Sequence, residues 1–271
     1  MKKGLLWATC LAVVLLTSCN ANHKGSSAEE VENNVLTFDS IRVHLTKSLI
    51  EGKQFPRYDI DCQILVATDS LEVAKNFNDV VSQMIYNRTD QTPEALLKHR
   101  ADSVAADFSK ELLEFYDPDE EDAAGRFDYS FEMKGRLADD AREGYAVYEL
   151  RLSSYQGGAH GSYYFQYRNI RLSDGAAMLK DDVFVPESED AIRDLLMQEL
   201  LKANECKSVE ELQEKTGITM LGDVYINDDN FQLQSDGVLF TYNIYEIAPY
   251  ASGPVLVKLT YDQLKPYLQE L

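Results

Sequence analysis

The chain has 271 residues, 45% hydrophobic and 27% charged, a composition that argues against wholesale disorder and against a collagen-like or coiled-coil fibre. Lysine and arginine number 26 against 46 aspartates and glutamates, which gives a formal net charge of −20. This acidity argues against nucleic acid and anionic membrane surfaces as partners and favours a basic one, because phosphate binding requires a basic surface.

Residues 1–18 have the pattern of a secretory signal peptide. Two lysines precede an apolar run that ends at Leu16 and is too short to cross a bilayer comfortably. Residues 16–19 read Leu-Thr-Ser-Cys, which resembles the lipobox of bacterial lipoproteins, where the cysteine is acylated. We therefore expect Cys19 to carry a lipid that anchors the protein in the cell envelope; an ordinary signal peptide with an incidental cysteine is the alternative. Asn20 follows in place of aspartate, which favours the outer membrane and leaves its face open.

Two cysteines, Cys62 and Cys206, remain once Cys10 is removed with the signal peptide and Cys19 is acylated. They are either one disulfide closing a long loop or two buried apolar thiols, and their spacing does not distinguish these alternatives. A metal site needs more ligands at close spacing than the chain offers, so we predict no metal. No cofactor-binding motif, such as a glycine-rich phosphate loop, is found either.

The first half of the chain predicts a tether followed by a strand and two helices. Residues 19–54 are polar and form the predicted tether, with a strand near residues 35–43. Apolar and polar residues alternate from Tyr58 to Val66, which predicts a half-buried strand. A helix is then predicted to begin at Asp69, which with Glu72 has the pattern of a capping box, and a second helix is predicted to begin at Thr92, with Thr92 as its N-cap.

The second half predicts short strands interrupted by helices. An acidic run at 117–122 lacks EF-hand spacing and is interpreted as a solvated loop. The predicted strands cover residues 127–133, 146–152, 163–167, 231–233, 238–245 and 255–259, and the predicted helices cover residues 189–204, 208–216 and the C-terminus from Thr260. Strands and helices in separate blocks predict an α+β fold, with antiparallel sheets and helices packed on one face. We place two consecutive subdomains at residues 55–150 and 151–271.

A glycine-rich segment, residues 155–161, lies between two predicted strands and reads Tyr-Gln-Gly-Gly-Ala-His-Gly. Its glycines permit positive φ and a close approach by a ligand or by another strand. Backbone amides here could form an anion-accepting nest with His160 as an acid or base, whereas the structural interpretation is a wide turn in which His160 packs against tyrosines. No serine in a nucleophile-elbow context supports lipase-like chemistry.

Tyrosine is abundant, with 16 residues concentrated at 145–167 and 225–267. Tyrosine supplies large amphipathic contact area and is enriched at binding hot spots, although any single one is more often a strand residue with its hydroxyl at the sheet edge. The candidate partner-binding residues are Tyr155, Gly157, Gly158, His160, Gly161, Tyr245 and Tyr250.

Two segments carry a family resemblance. Residues 155–184, with their Gly-Gly-Ala-His-Gly motif, and residues 240–253, which read Phe-Thr-Tyr-Asn-Ile-Tyr-Glu-Ile-Ala-Pro-Tyr-Ala-Ser-Gly, resemble the RsiV-like extracytoplasmic domain of unknown function. That domain is the sensing part of lysozyme-sensing anti-sigma factors and an accessory part of PdaC-type peptidoglycan deacetylases. The resemblance covers about residues 55–271 and implies an α+β fold with a lysozyme-like or cell-wall ligand.

The chain departs from these relatives in what accompanies the domain. It shows neither the cytoplasmic helical domain of the anti-sigma factors nor the metal-dependent catalytic domain of the deacetylases. We therefore expect a non-catalytic envelope lipoprotein that binds a basic lysozyme-like protein or peptidoglycan. The alternatives are a cell-wall or carbohydrate hydrolase that uses His160 with a carboxylate such as Glu246, and a purely architectural envelope protein.

Overall fold

A computed structural model describes residues 36–119, 124–218 and 224–271. The predicted signal peptide, Cys19 and residues 20–35 of the predicted tether lie outside the described residues, as does part of the acidic run at 117–122.

Nine strands form two sheets in these described ranges. A six-stranded sheet has the order β1-β2-β3-β4-β5-β6, and a three-stranded sheet has the order β7-β8-β9. The strands are β1 (Phe38–Ser48), β2 (Arg57–Ala67), β3 (Asp128–Leu137), β4 (Tyr145–Tyr155), β5 (Ser162–Arg171), β6 (Ala177–Met178), β7 (Phe231–Leu233), β8 (Gly237–Tyr242) and β9 (Val255–Thr260).

The described residues also form six α-helices. They are α1 (Glu72–Tyr86), α2 (Pro93–Phe115), α3 (Lys180–Val183), α4 (Glu189–Ala203), α5 (Val209–Thr216) and α6 (Tyr261–Leu264). Two of these, α3 and α6, are only one turn long and follow shortly after strands. Short 3-10 turns lie at Ala124–Phe127, Tyr250–Ser252 and Lys265–Tyr267.

The six-stranded sheet buries one face under α1 and α2. Ile60, Cys62 and Ile64 of β2 are fully buried, whereas the alternate residues Asp59 and Asp61 lie on the opposite face. The sheet is antiparallel except for the β2–β3 pair, which is parallel because α1 and α2 form the crossover between these strands. The face opposite the helices therefore carries the polar half of the β2 pattern, whereas on β5 it carries Tyr163, Phe165 and Tyr167.

The two long helices begin differently from one another. Thr92 caps α2 as predicted, since its hydroxyl accepts a hydrogen bond from the Ala95 amide at 3.3 Å, and Pro93 occupies the first helical position. Helix α1 has Leu71 at its N-cap without a side-chain cap. The predicted cap, Asp69, instead accepts hydrogen bonds from the amide and hydroxyl of Thr37, which tie the start of β1 to the end of β2.

A second core surrounds the three-stranded sheet, with α4, α5 and α6 against it. Asn169 of β5, fully buried, joins this core to the larger sheet: its amide donates to the Phe231 carbonyl at 3.0 Å and accepts from the Leu233 amide at 2.7 Å. The predicted boundary at residue 150 falls inside β4, and residues 36–271 form one compact unit.

The predicted α+β class is confirmed, with helices and sheets in the order that the sequence pattern indicates. Of the helices that the structure describes, none combines the length and apolar composition that crossing a bilayer requires.

Candidate functional site

The β4–β5 turn depends on its glycines for shape. Gly157 and Gly158 have φ values of +78° and +90°, in the left-handed region where side chains are disfavoured. A Cβ at Gly157 would lie 3.0 Å from the Arg126 carbonyl oxygen, and one at Gly161 would lie 2.7 Å from the Ser154 carbonyl oxygen. These three glycines determine the shape of the turn, which positions His160.

A second loop, residues 243–254, reaches the free edge of β5 through Asn243. The Asn243 side chain, in a residue only 3% exposed, accepts from the Phe165 amide at 2.8 Å and donates to the Phe165 carbonyl at 3.0 Å. Its own amide donates to a Glu246 carboxylate oxygen at 2.7 Å. Asn243 thus takes the place of a neighbouring strand, since it satisfies both backbone groups that Phe165 directs away from β4.

The turn and the loop meet in a cluster of rings that we call the aromatic patch: His160, Tyr163, Tyr245 and Tyr250. His160 stacks on Tyr250 with ring centroids 3.9 Å apart and planes 16° from parallel. Tyr250 also contacts Tyr245, at 5.8 Å between centroids, and Tyr163, at 6.1 Å. His160 and Tyr245 are exposed, and the other two rings are half-buried.

Tyr245 presents its ring from a strained backbone. It has φ +67°, the left-handed conformation that a bulky residue rarely adopts, while 56% of the residue is exposed. Its amide donates to the Ala248 carbonyl at 3.0 Å, which helps to hold the loop in this conformation. A conformation of this kind costs about 1–3 kcal/mol and clusters at functional sites.

Comparison with known proteins places the second loop inside a recognised domain. Residues 181–262 match the family model described as "Protein of unknown function (DUF3298)". The chain contains a DUF3298 domain. This DUF3298 domain includes Asn243, Tyr245 and Tyr250, whereas the glycine-rich turn with His160 precedes it.

Two solved structures share the fold over most of this chain. A DUF3298 family member from Bacteroides fragilis NCTC 9343 is 24% identical, with a TM-score of 0.75 over 87% of this chain and 94% of its own. A DUF3298 family protein from Pseudomonas aeruginosa PAO1 is 18% identical, with a TM-score of 0.57 over 86% of this chain and 94% of its own. No curated protein matches the chain.

The described structure does not pair His160 with an acid. Its Nδ1 lies 3.0 Å from the Gly161 carbonyl oxygen, and within the described ranges it bonds to no carboxylate. Glu246 of the DUF3298 domain is bonded to Asn243 and lies beside Tyr164. Burial, followed by the Glu246 charge, raises the pKa of Tyr164 to about 12. Glu246 therefore organises the loop behind the patch, and no group of metal ligands is found among the described residues.

The structure divides the predicted contact residues into two groups. His160, Tyr245 and Tyr250 come together in the aromatic patch, whereas Gly157, Gly158 and Gly161 shape the turn, and the Tyr155 hydroxyl donates to the Gly158 carbonyl at 3.0 Å. Sequence reasoning missed Tyr163 and Asn243. The alternation along β5 identifies Tyr163 as a residue of the outer face, but the contact of Asn243 with Phe165 has no local signal.

The two predicted partner cysteines do not meet in the structure. Cys62 belongs to the core beneath α1 and α2, Cys206 belongs to the core around the three-stranded sheet, and both are free thiols. The structure therefore corresponds to the second alternative, two buried apolar thiols.

Proposed function

We propose that the protein is a non-catalytic lipoprotein of the bacterial cell envelope that binds a basic, lysozyme-like protein through the aromatic patch. The observation that carries the proposal is that the two family-like segments, distant in sequence, converge on one exposed group of rings. Rigid tyrosines are enriched at binding hot spots because they bury large amphipathic area for little loss of side-chain freedom. The RsiV-like resemblance of these segments supports a lysozyme-like partner.

Charge supports a basic partner independently of the resemblance. The formal net charge of −20 would attract a cationic protein and raise its association rate at low salt. An exposed tyrosine face also suits lysine or arginine side chains, which bind above aromatic rings. Long-range attraction alone would disappear at physiological salt, so contact at the patch must supply the remaining affinity.

The hydrogen bonds of Glu246 support a binding role over a hydrolytic one. A general base must lie within hydrogen-bonding reach of its partner, directly or through one water. Glu246 is instead engaged by the amide and side chain of Asn243 at 2.7 and 3.4 Å. The His160 ring lies flat against Tyr250, which suits a contact surface.

The test of the partner is a calorimetric titration of residues 20–271 with a C-type lysozyme at low and physiological salt. We expect saturable binding at both, and Tyr250→Ala should weaken it by about tenfold or more because the central ring of the patch is lost. Phe115→Ala is the matched control, since Phe115 is 58% exposed at the end of α2, on a different element. Equal affinity of the wild type and the Tyr250→Ala variant, or binding that vanishes at physiological salt, would overturn the proposal.

The proposed lipid anchor has a separate test. The Leu-Thr-Ser-Cys segment supports acylation at Cys19, so Cys19→Ser should move the protein from the membrane fraction to the soluble fraction. Cys62→Ser is the control, because that thiol is buried in the core. Equal membrane association of the wild type and Cys19→Ser would contradict a lipid anchor at this residue.

A further inference from the structure

The open face of the six-stranded sheet, opposite α1 and α2, carries basic residues that are paired with carboxylates. Two ion pairs cross between neighbouring strands, Arg42–Asp61 at 2.7 Å and Arg136–Glu149 at 2.9 Å, and one lies within β3, Lys134–Glu132 at 2.5 Å. His44 is also hydrogen-bonded to Asp59, at 2.9 Å.

Arg151 is different from these paired residues. It is exposed on β4, and within the described part of the chain its guanidinium makes neither an ion pair nor a hydrogen bond. Its direct cross-strand neighbour on β3 is Lys134. Lys134 is itself paired with Glu132 of the same strand, so its charge is already balanced. Among the described residues of this face, Arg151 therefore carries a positive charge without a carboxylate partner, and it suits an anion.

An aromatic surface adjoins this basic spot. The guanidinium carbon of Arg151 lies 5.9 Å from the ring centroid of Phe165, its cross-strand partner on β5. The Phe165 ring is parallel to Tyr167 within 5°, at 6.4 Å, and contacts Tyr163 of the aromatic patch at 6.0 Å. A half-buried ring can contact the apolar C–H groups of a ligand, while the polar side chains beside it can form hydrogen bonds with the same ligand.

We propose that Arg151 and Phe165 form a subsite for an acidic sugar, with the sugar ring against Phe165 and its carboxylate on Arg151. A carboxylate matches the planar fork of a guanidinium, which can donate two parallel hydrogen bonds. The chemistry of the subsite selects an acidic sugar without reference to the proposed function. The further assignment of this sugar to the muramic acid units of peptidoglycan rests on the proposed function, because it requires the protein to lie in the cell envelope.

The test compares two disaccharides that differ in one carboxylate. The full chain in detergent is titrated with the N-acetylglucosamine–N-acetylmuramic acid disaccharide and with N,N′-diacetylchitobiose, which lacks the lactyl group. We expect the acidic disaccharide to bind about tenfold more tightly or better, since hydrogen bonds to a charged partner are strong. Arg151→Gln should remove this preference, and Arg151→Lys should retain part of it, because lysine keeps the charge and loses the fork.

Arg42→Gln is the matched control, since Arg42 lies on the same sheet face, on the edge strand β1, and is paired with Asp61. It should leave the preference unchanged, and thermal unfolding would establish that each variant is folded. Equal affinity for the two sugars, no binding of either, or equal loss in the Arg42 and Arg151 variants would overturn the inference. The titrations contain no lysozyme, so they test the sugar subsite alone. A negative result here would leave the proposed binding of a lysozyme-like protein to its own titration.

Discussion

At the scale of single residues, Tyr245 combines an unfavourable backbone conformation with an exposed ring. Such a residue lowers stability in exchange for placing a side chain where a partner can reach it. The cost in stability and the gain in binding can be measured separately, because glycine adopts the left-handed region freely and alanine does not.

We expect Tyr245→Gly to keep the free energy of unfolding within about 1 kcal/mol of the wild type, because relief of strain offsets the greater freedom of glycine in the unfolded chain. Tyr245→Ala keeps the strain and should be less stable than the glycine variant by about 1 kcal/mol. Both should lose affinity for the basic partner. Urea denaturation and calorimetry measure the two effects, and equal stability of the alanine and glycine variants would show that the conformation is not strained.

Asn243 joins the DUF3298 loop to the larger sheet through both backbone groups of Phe165. Asn243→Ala would leave these groups without partners, and we expect a loss of about 2 kcal/mol in the free energy of unfolding. Gln91→Ala, at an exposed position in the α1–α2 loop, should change it by less than about 0.5 kcal/mol. Urea denaturation checks both, and a neutral Asn243→Ala would mean that water replaces the amide at no cost.

At the scale of elements, local patterns predicted what local contacts decide. The alternation of β2 and the Thr92 cap of α2 are confirmed, because both depend on neighbours within a few residues. Asp69 was a wrong prediction for the cap of α1, since its carboxylate bonds to Thr37, which is distant in the chain. The strand predicted over residues 238–245 ends at Tyr242, because the chain turns at Asn243 to meet β5.

The β1–β2 pairing has a consequence for acid stability. Arg42 donates hydrogen bonds to both carboxylate oxygens of Asp61, and these bonds hold the pKa of Asp61 below its ordinary value. A lowered pKa in the folded state stabilises the fold above the ordinary pKa of aspartate, and that contribution is lost as the pH falls through the lowered value. The Arg42–Asp61 pair therefore stabilises the fold at neutral pH and no longer does so in acid.

We expect Asp61→Asn to be less stable than the wild type by less than about 1 kcal/mol near pH 6, the range for surface ion pairs. The difference should close as the pH falls through the lowered pKa of Asp61, because the wild-type carboxyl is then protonated as well. Urea denaturation across this pH range measures it. A difference that stays constant from neutral to acidic pH would show that packing, and not ionisation, accounts for the effect.

At the scale of the whole molecule, the two hydrophobic cores keep the two thiols apart. Burial raises the pKa of the Cys62 thiol to about 12, which suppresses the reactive thiolate. We expect residues 20–271 to resist a thiol reagent when folded and to expose two reactive thiols per chain when unfolded without reductant. Cys206→Ala should reduce the number to one, and failure of the unfolded wild type to react would indicate a disulfide.

The sequence alone determined the α+β class, the faces of the main strands and helices, and the residue types of the site. These features follow from periodicity and capping, which act over a few neighbouring residues. Only the tertiary structure decided that His160 stacks on Tyr250, that Cys62 and Cys206 lie in separate cores, and that Arg151 stands opposite Lys134. Strand register and the Asn243 contact with β5 set these neighbours, and both join segments far apart in the chain that no local preference relates.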